Sequence, residues 1–173
     1  MLSDAELQIS LAYYEGVYAA APQDMRTMLL RSKAAILEVC GWVEQAMDAI
    51  VSETAQRCSL STQRLNHITT KYIKPTYGFS YRNHFEKMIV SVVGYRVLDM
   101  AEASAGAPIF AMKSTLDYLA KLRNHYAHTH FDISNPYPTG HSTIPTPTVM
   151  KSHANTAVTG LNALESELIA NGC

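Results

Sequence analysis

The sequence predicts an all-α fold, an up-and-down bundle of about five helices forming a single domain over residues 1–173. Apolar residues recur at steps of three and four along most of the chain, the spacing of one helix face. No segment shows the sustained two-residue alternation of a half-buried strand. The chain has 173 residues, 47% apolar and 17% charged, enough for one packed core and short for two domains.

Five or six helices are predicted along the chain. The segments are residues 3–19, 23–57, 61–73, 81–103, 109–128 and 150–169. Ser3 or Asp4 is expected to cap the first helix and Ser61 the third. Pro22 breaks the chain and can occupy the first position of the second helix.

The longest helix, 23–57, carries a stripe typical of a bundle helix. Its members are Ile36, Cys40, Val43, Met47 and Ile50. Gly41 and Ser32 are expected to let another helix approach closely. In the fourth helix, Phe85, Ile89, Val92 and Tyr95 are expected to share one side.

A long Pro/Thr-rich loop, residues 132–148, is predicted before the last helix. It holds four prolines and four threonines, a composition that favours irregular structure. A loop of this length in a compact domain is usually functional or packed against a partner.

The fifth helix raises a question about charge. Its stripe of Ile109, Met112, Leu116 and Leu119 reaches Arg123 at the next step of four. Burying an unpaired charge costs several kcal/mol. Arg123 is therefore expected to meet an acidic partner, a cleft or a second subunit, or else simply to satisfy the helix C-terminus.

Histidines cluster beside Arg123. Asn124 and His128 are four residues apart and share a helix face, and His125 and His130 lie close in sequence. Histidine transfers protons near neutral pH, and arginine binds phosphate. These residue types suit cleavage of RNA, whose 2′-hydroxyl is an internal nucleophile.

The segment Arg123-Asn124-His125-Tyr126-Ala127-His128 resembles the R-N-x-x-x-H signature of the HEPN superfamily, which lies at the end of a helix in a helical bundle. The order of helices is similar as well, and the likeness is greatest to the RiboL-PSP-like branch. The resemblance implies a metal-independent endoribonuclease without cofactor. Such an enzyme would cleave RNA by 2′-hydroxyl attack to leave a cyclic phosphate, and the expected role is in a toxin, phage-defence or RNA-stress system.

The resemblance also implies roles and partners. His128 would transfer protons, Arg123 would bind the scissile phosphate and Asn124 would orient them, in a cleft shared by two protomers of a homodimer. Related toxins carry a tyrosine two residues after the histidine, which a partner nucleotidyltransferase modifies. This chain has His130 there, with Tyr126 nearby, so an antitoxin or nucleotidyltransferase partner is an open expectation.

Positive charge concentrates between Arg57 and Arg96. This segment carries seven basic residues and one acid, +6, whereas the whole chain carries -1. Basic residues bind phosphates and aromatic rings stack on bases. The expected RNA-binding residues are Lys71, Lys74, Tyr77 and Arg82; the alternative is that the aromatic residues belong to the core.

The sequence leaves other interpretations open. Glu44 is either solvated or a partner of Arg123 or His128. His125, His128, His130 and His141 form a weaker alternative, a metal site. A non-catalytic HEPN dimerisation or RNA-binding module is the main alternative function.

Location is inferred from the cysteines and the N-terminus. Three cysteines without a CxxC pair favour a reducing, cytoplasmic compartment. No secretory signal or membrane span is expected, because the N-terminus is acidic and no apolar run is long enough.

Overall fold

The computed structural model describes residues 3–127 and 143–172, and within them the chain is helical with no strand. The six α-helices are α1 (Ala5–Ala20), α2 (Met25–Arg57), α3 (Thr62–Ile68), α4 (Glu86–Ala105), α5 (Ala107–Ala127) and α6 (Pro147–Ala170). One π-helical turn, Thr69–Ile73, follows α3, and a second, Tyr81–Phe85, precedes α4; residues 74–80 join the two turns. The all-α prediction is confirmed, and the described residues form six α-helices where five or six were expected.

Local hydrogen bonds explain where the helices begin. Ser61 caps α3, as predicted, by accepting from the Arg64 N–H at 3.4 Å. Asp24 performs the same role for α2, accepting from the Thr27 N–H at 3.1 Å. Pro22 therefore lies two residues before the cap, and its predicted position as the first helical residue is wrong.

Helix α6 begins three residues earlier than predicted, inside the expected loop. Pro147 occupies the first helical position, where its missing N–H costs nothing. Thr146 precedes it and accepts from the Val149 N–H at 3.3 Å. Residues 143–146 have no regular structure, and 132–142 of the predicted loop lie outside the described residues.

The chain divides into two compact units. The α4 unit contains Val43–Asp117 and Thr156–Cys173, and the α1 unit contains Ser3–Trp42 and Tyr118–Asn155. Helices α2, α5 and α6 each contribute residues to both units. The single domain over residues 1–173 stays a prediction.

The core of the α4 unit contains side chains from four helices and one π-helical turn. Fully or almost fully buried are Met47, Ile50, Phe85, Ile89, Leu98, Ile109, Met112, Leu116, Leu161, Leu164 and Leu168. Helices α5 and α6 approach closely here, because a Cβ on Gly160 would lie 2.3 Å from the Cβ of Met112. Gly41, by contrast, has no described atom within 4 Å of an added Cβ, so the close approach predicted there is wrong.

Two ion-pair clusters tie the elements of the α4 unit together. Glu102 on α4 accepts from the Tyr81 hydroxyl and from Lys113 on α5. Lys113 also lies over the Tyr81 ring, 4.2 Å from its centroid. Arg57 contacts Glu53 at 3.0 Å and Glu165 at 2.6 Å, so its charge is neutralised by neighbouring carboxylates.

Helix α4 is kinked at Gly94, whose φ of 77° and ψ of 163° are not helical. Glycine suits this position because a side chain is strained at positive φ. Phe85 and Ile89 are buried as predicted, but Tyr95 is exposed. The prediction for Tyr95 is wrong because the kink rotates the following residues away from the earlier stripe.

The α1 unit has its own core from α1, α2, α5 and α6. Its buried apolar residues include Leu7, Leu11, Leu29, Ile36, Val39, Leu119, Leu122, Tyr126, Met150 and Ala154. The Trp42 indole donates to the Ser3 carbonyl at 3.1 Å, and the Gln8 amide donates to Asn155 at 3.0 Å. None of the described helices combines the length and hydropathy needed to cross a membrane.

Candidate functional site

The buried stripe of α5 does not pass through Arg123. Ile109, Met112, Leu116 and Leu119 are buried as predicted, and the stripe then continues through Leu122 and Tyr126. Because a helical turn takes 3.6 residues, the positions three and four after Leu119 lie on either side of the stripe. Leu122 occupies the buried one, so Arg123 does not stand where a core residue is due.

Residues 123–127 are the described part of the predicted motif. They form the end of α5, and their side chains differ in solvent exposure. Arg123 and His125 are half-buried, Asn124 is exposed and Tyr126 is buried. His128 and His130 lie outside the described residues, so their predicted roles stay predictions.

Tyr126 is part of the core. Its side chain is 2% exposed, and its ring packs edge-to-face against His125 with centroids 5.0 Å apart. A modifying enzyme would have no access to this ring in the folded chain. Tyr126 is therefore a poor substitute for the accessible tyrosine that is absent at position 130.

His153, in the α1 unit, is not among the site residues predicted from the sequence. It lies on α6, and its ring centroid is 4.8 Å from that of Tyr118 on α5. Burial lowers the pKa of His153 and raises the pKa of Tyr118. Both groups are thus held in their neutral forms near pH 7. No local spacing indicates this contact, because the two residues are brought together only by helix packing.

Glu44 has a definite partner in the α4 unit. Its carboxylate accepts from the Gly78 N–H at 2.6 Å, so the simple prediction of a solvated side chain is wrong. Arg123 belongs to the other unit and His128 is outside the described residues, so pairing of Glu44 with either stays a prediction.

Asp48 lies four residues after Glu44 on α2. Burial, and then the charge of Glu44, raise the pKa of Asp48 to about 6. A carboxyl with such a pKa can exchange protons near neutral pH. No sequence pattern selects Asp48, since an acid four residues from another acid is common on helices.

The predicted RNA-binding residues lie on the surface of the α4 unit. Lys71, Lys74, Tyr77 and Arg82 are all exposed. Phe79 and Tyr81 are buried, so the alternative that the aromatic residues belong to the core holds for these two. It fails for Tyr77, which is 80% exposed.

The alternative metal site is described only at His125. His128, His130 and His141 lie outside the described residues. Across residues 3–127 and 143–172, no three His, Cys, Asp or Glu side chains are grouped to hold a metal ion.

Comparison with known proteins gives no match to a family model, to a curated protein or to a solved structure. Membership in the HEPN superfamily therefore stays a prediction from the residues at the end of α5.

Proposed function

We propose that this protein is a metal-independent endoribonuclease of the HEPN type, acting in a toxin, phage-defence or RNA-stress role. One observation carries the proposal. The end of α5 presents a half-buried guanidinium, Arg123, beside an exposed amide, Asn124, and the sequence places His128 four residues after that amide. A phosphate-binding fork next to a proton-transfer group is what cleavage of a phosphodiester needs.

The reaction balances without a metal ion. His128 takes the proton of the 2′-hydroxyl, whose oxygen attacks the adjacent phosphorus while the bond to the 5′-oxygen breaks. Arg123 stabilises the negative charge on the phosphate oxygens. The protonated His128 of the partner subunit acts as the acid and gives a proton to the leaving 5′-oxygen. The products are a 2′,3′-cyclic phosphate and a 5′-hydroxyl.

The test is cleavage of a mixed-sequence RNA in EDTA by the wild type and by Arg123→Ala and His128→Ala. Each variant is expected to cut at least about 100-fold more slowly, the usual contribution of a proton-transfer group for His128 and of a charge-stabilising donor for Arg123. Lys121→Ala is the matched control, because Lys121 is an exposed cation two residues before Arg123 on α5. The new 5′ ends should accept phosphate from polynucleotide kinase without phosphatase treatment.

Two results would contradict the proposal in different ways. No cleavage by the wild type would remove the enzyme and leave the alternative, a non-catalytic dimerisation or RNA-binding module. The exposed basic residues of the α4 unit favour that alternative. Unchanged cleavage by His128→Ala would instead show that the active centre lies elsewhere.

A further inference from the structure

Tyr77 lies in a short turn, residues 74–80, hereafter the Tyr77 turn, between the two π-helical turns. It is the most exposed of the large apolar side chains in the described part of the chain, at 80%. The other aromatic side chains that follow it, Phe79, Tyr81 and Phe85, are buried. Three aromatic anchors thus hold the segment in the core while one aromatic ring remains in solvent.

Hydrogen bonds hold the backbone on both sides of Tyr77. Before it, the Lys74 N–H donates to the Thr69 carbonyl at 2.9 Å, and the Thr76 N–H donates to the Ile73 carbonyl at 3.0 Å. After it, the Gly78 N–H donates to Glu44 at 2.6 Å. The exposed ring is therefore carried on an ordered turn, and ordering before binding lowers the entropy cost of binding.

Gly78 and His84 complete the support of the turn. Gly78 has a φ of +130°, and a Cβ there would lie 2.8 Å from the His84 ring. His84 Nδ1 accepts from the Ser80 N–H at 3.1 Å. The imidazole thus packs against the glycine and fixes the backbone that follows Tyr77.

The surroundings of Tyr77 in the sequence are cationic. No acidic residue occurs in residues 59–85. Four cations in this stretch are exposed: Arg64, Lys71, Lys74 and Arg82. They favour a polyanionic partner.

The exposed aromatic ring selects among polyanions. A membrane-binding surface uses several apolar side chains that insert together, whereas this turn exposes one. An acidic peptide would need the cations alone. The faces of nucleic-acid bases stack on aromatic side chains, and those faces are accessible only where the bases are unpaired.

We infer that the Tyr77 turn binds an unpaired stretch of polynucleotide, with Tyr77 stacked on a base and Lys71, Lys74 and Arg82 against the flanking phosphates. Glu44 is a positioning residue, because it holds the Gly78 N–H and thereby the direction of Tyr77. The inference rests on the proposed function, from which it takes RNA as the substrate. It then specifies the class of substrate as unpaired RNA.

The test uses a probe that a ribonuclease of the proposed type cannot cut, a 12-nucleotide 2′-O-methyl RNA of mixed sequence, with binding measured by fluorescence anisotropy. Tyr77→Ala should weaken single-strand binding about tenfold, as loss of one stacked base does, and leave binding of the matching duplex unchanged. Tyr77→Phe should retain wild-type affinity. Tyr95→Ala is the control, because Tyr95 is an exposed tyrosine, at 63%, in the same unit.

The phosphate contacts are tested by salt dependence. Each single replacement by Gln, at Lys71, Lys74 or Arg82, should make the plot of log affinity against log salt less steep by about 0.7. That is the value for one phosphate of a single strand. A DNA strand of the same sequence is a further arm. Equal affinity for the DNA strand would mean that the turn recognises unpaired polynucleotide through bases and phosphates alone. Weaker affinity for the DNA strand would mean that the turn also contacts the sugar.

The positioning role of Glu44 is tested by a double-mutant cycle. Glu44→Ala should weaken single-strand binding in the wild type and have no further effect in Tyr77→Ala, because it acts through Tyr77. Glu44→Gln, which keeps an acceptor oxygen, should restore binding. Equal losses in both backgrounds would assign Glu44 a general structural role and remove it from the site.

The inference fails if Tyr77→Ala binds the single strand as the wild type does. It also fails if single strand, duplex and polyaspartate bind equally well, since the surface would then be a general anion site. These outcomes are separate from cleavage. Binding that depends on Tyr77 without any RNA cleavage would support the turn and refute the nuclease, and cleavage without such binding would do the reverse.

Discussion

At the scale of single residues, the described structure assigns the neighbouring acids Glu44 and Asp48 different roles. Glu44 accepts a backbone hydrogen bond from Gly78. Asp48 has its pKa raised to about 6 by burial and by the charge of Glu44. The first acid organises a turn, whereas the second is held in an environment that disfavours its charged form.

Asp48 makes stability depend on pH. Because its pKa is higher in the folded than in the unfolded chain, the folded state holds a proton that the unfolded state has released between about pH 4 and pH 6. Its contribution to stability is therefore greatest at low pH, falls as pH rises through 6 and is then constant.

We expect Asp48→Asn to raise the free energy of unfolding at pH 7.5 by roughly 1 kcal/mol, discounted because the carboxyl is only half-buried. The gain should shrink toward zero at pH 4. Urea unfolding across this range measures it. A gain of equal size at every pH would contradict the assignment.

At the scale of helices, Gly160 sets how closely α6 approaches α5. An added Cβ would lie 2.3 Å from the Cβ of Met112 and 2.8 Å from the Pro108 carbonyl oxygen. Neither atom is the far end of a flexible side chain, so relief requires the helices to move apart. The core residues around this contact would then lose their packing.

We expect Gly160→Ala to lower the free energy of unfolding by about 2–3 kcal/mol, the upper part of the range for overpacking. Gly41→Ala is the matched control, since an added Cβ meets no described atom within 4 Å. That variant should gain up to about 1 kcal/mol from helix propensity. Urea denaturation measures both, and a neutral Gly160→Ala would refute the close contact.

At the scale of the whole molecule, charge is distributed unevenly although the total is nearly zero. The segment from Arg57 to Arg96 carries +6 within a chain of net charge -1, and all of it belongs to the α4 unit. The proposed catalytic residues Arg123 and Asn124 belong to the α1 unit. Substrate binding and chemistry are thus proposed for different units of one chain.

The proposed chemistry also predicts an assembly. One chain supplies one His128, whereas cleavage benefits from both a base and an acid. We expect light scattering at micromolar concentration to give twice the mass of one chain. Cleavage per chain should fall on dilution below the dissociation constant of the dimer. A monomeric mass with full activity would contradict the shared cleft.

Much of the helical structure was predictable because it depends on local interactions. The Ser61 cap is predictable from one side chain and its near neighbours, and this prediction is confirmed. The α5 stripe was correct as far as Leu119 and wrong at the next step, where positions three and four residues on are equally consistent with the spacing. Spacing alone cannot choose between Leu122 and Arg123, whereas residue type favours the apolar Leu122 as the buried one.

The sequence by itself determined the all-α class, most helix bounds to within two residues, and the position of Arg123 and Asn124 at the end of α5. Hydrogen bonds between near neighbours and the helical period are sufficient for those features. Only tertiary structure decided that Gly160 and not Gly41 is the close contact, that Glu44 holds Gly78, and that Tyr77 is exposed while Phe79 is buried. Each depends on residues distant in the chain, whose packing fixes which side chains have room and which backbone groups find a partner.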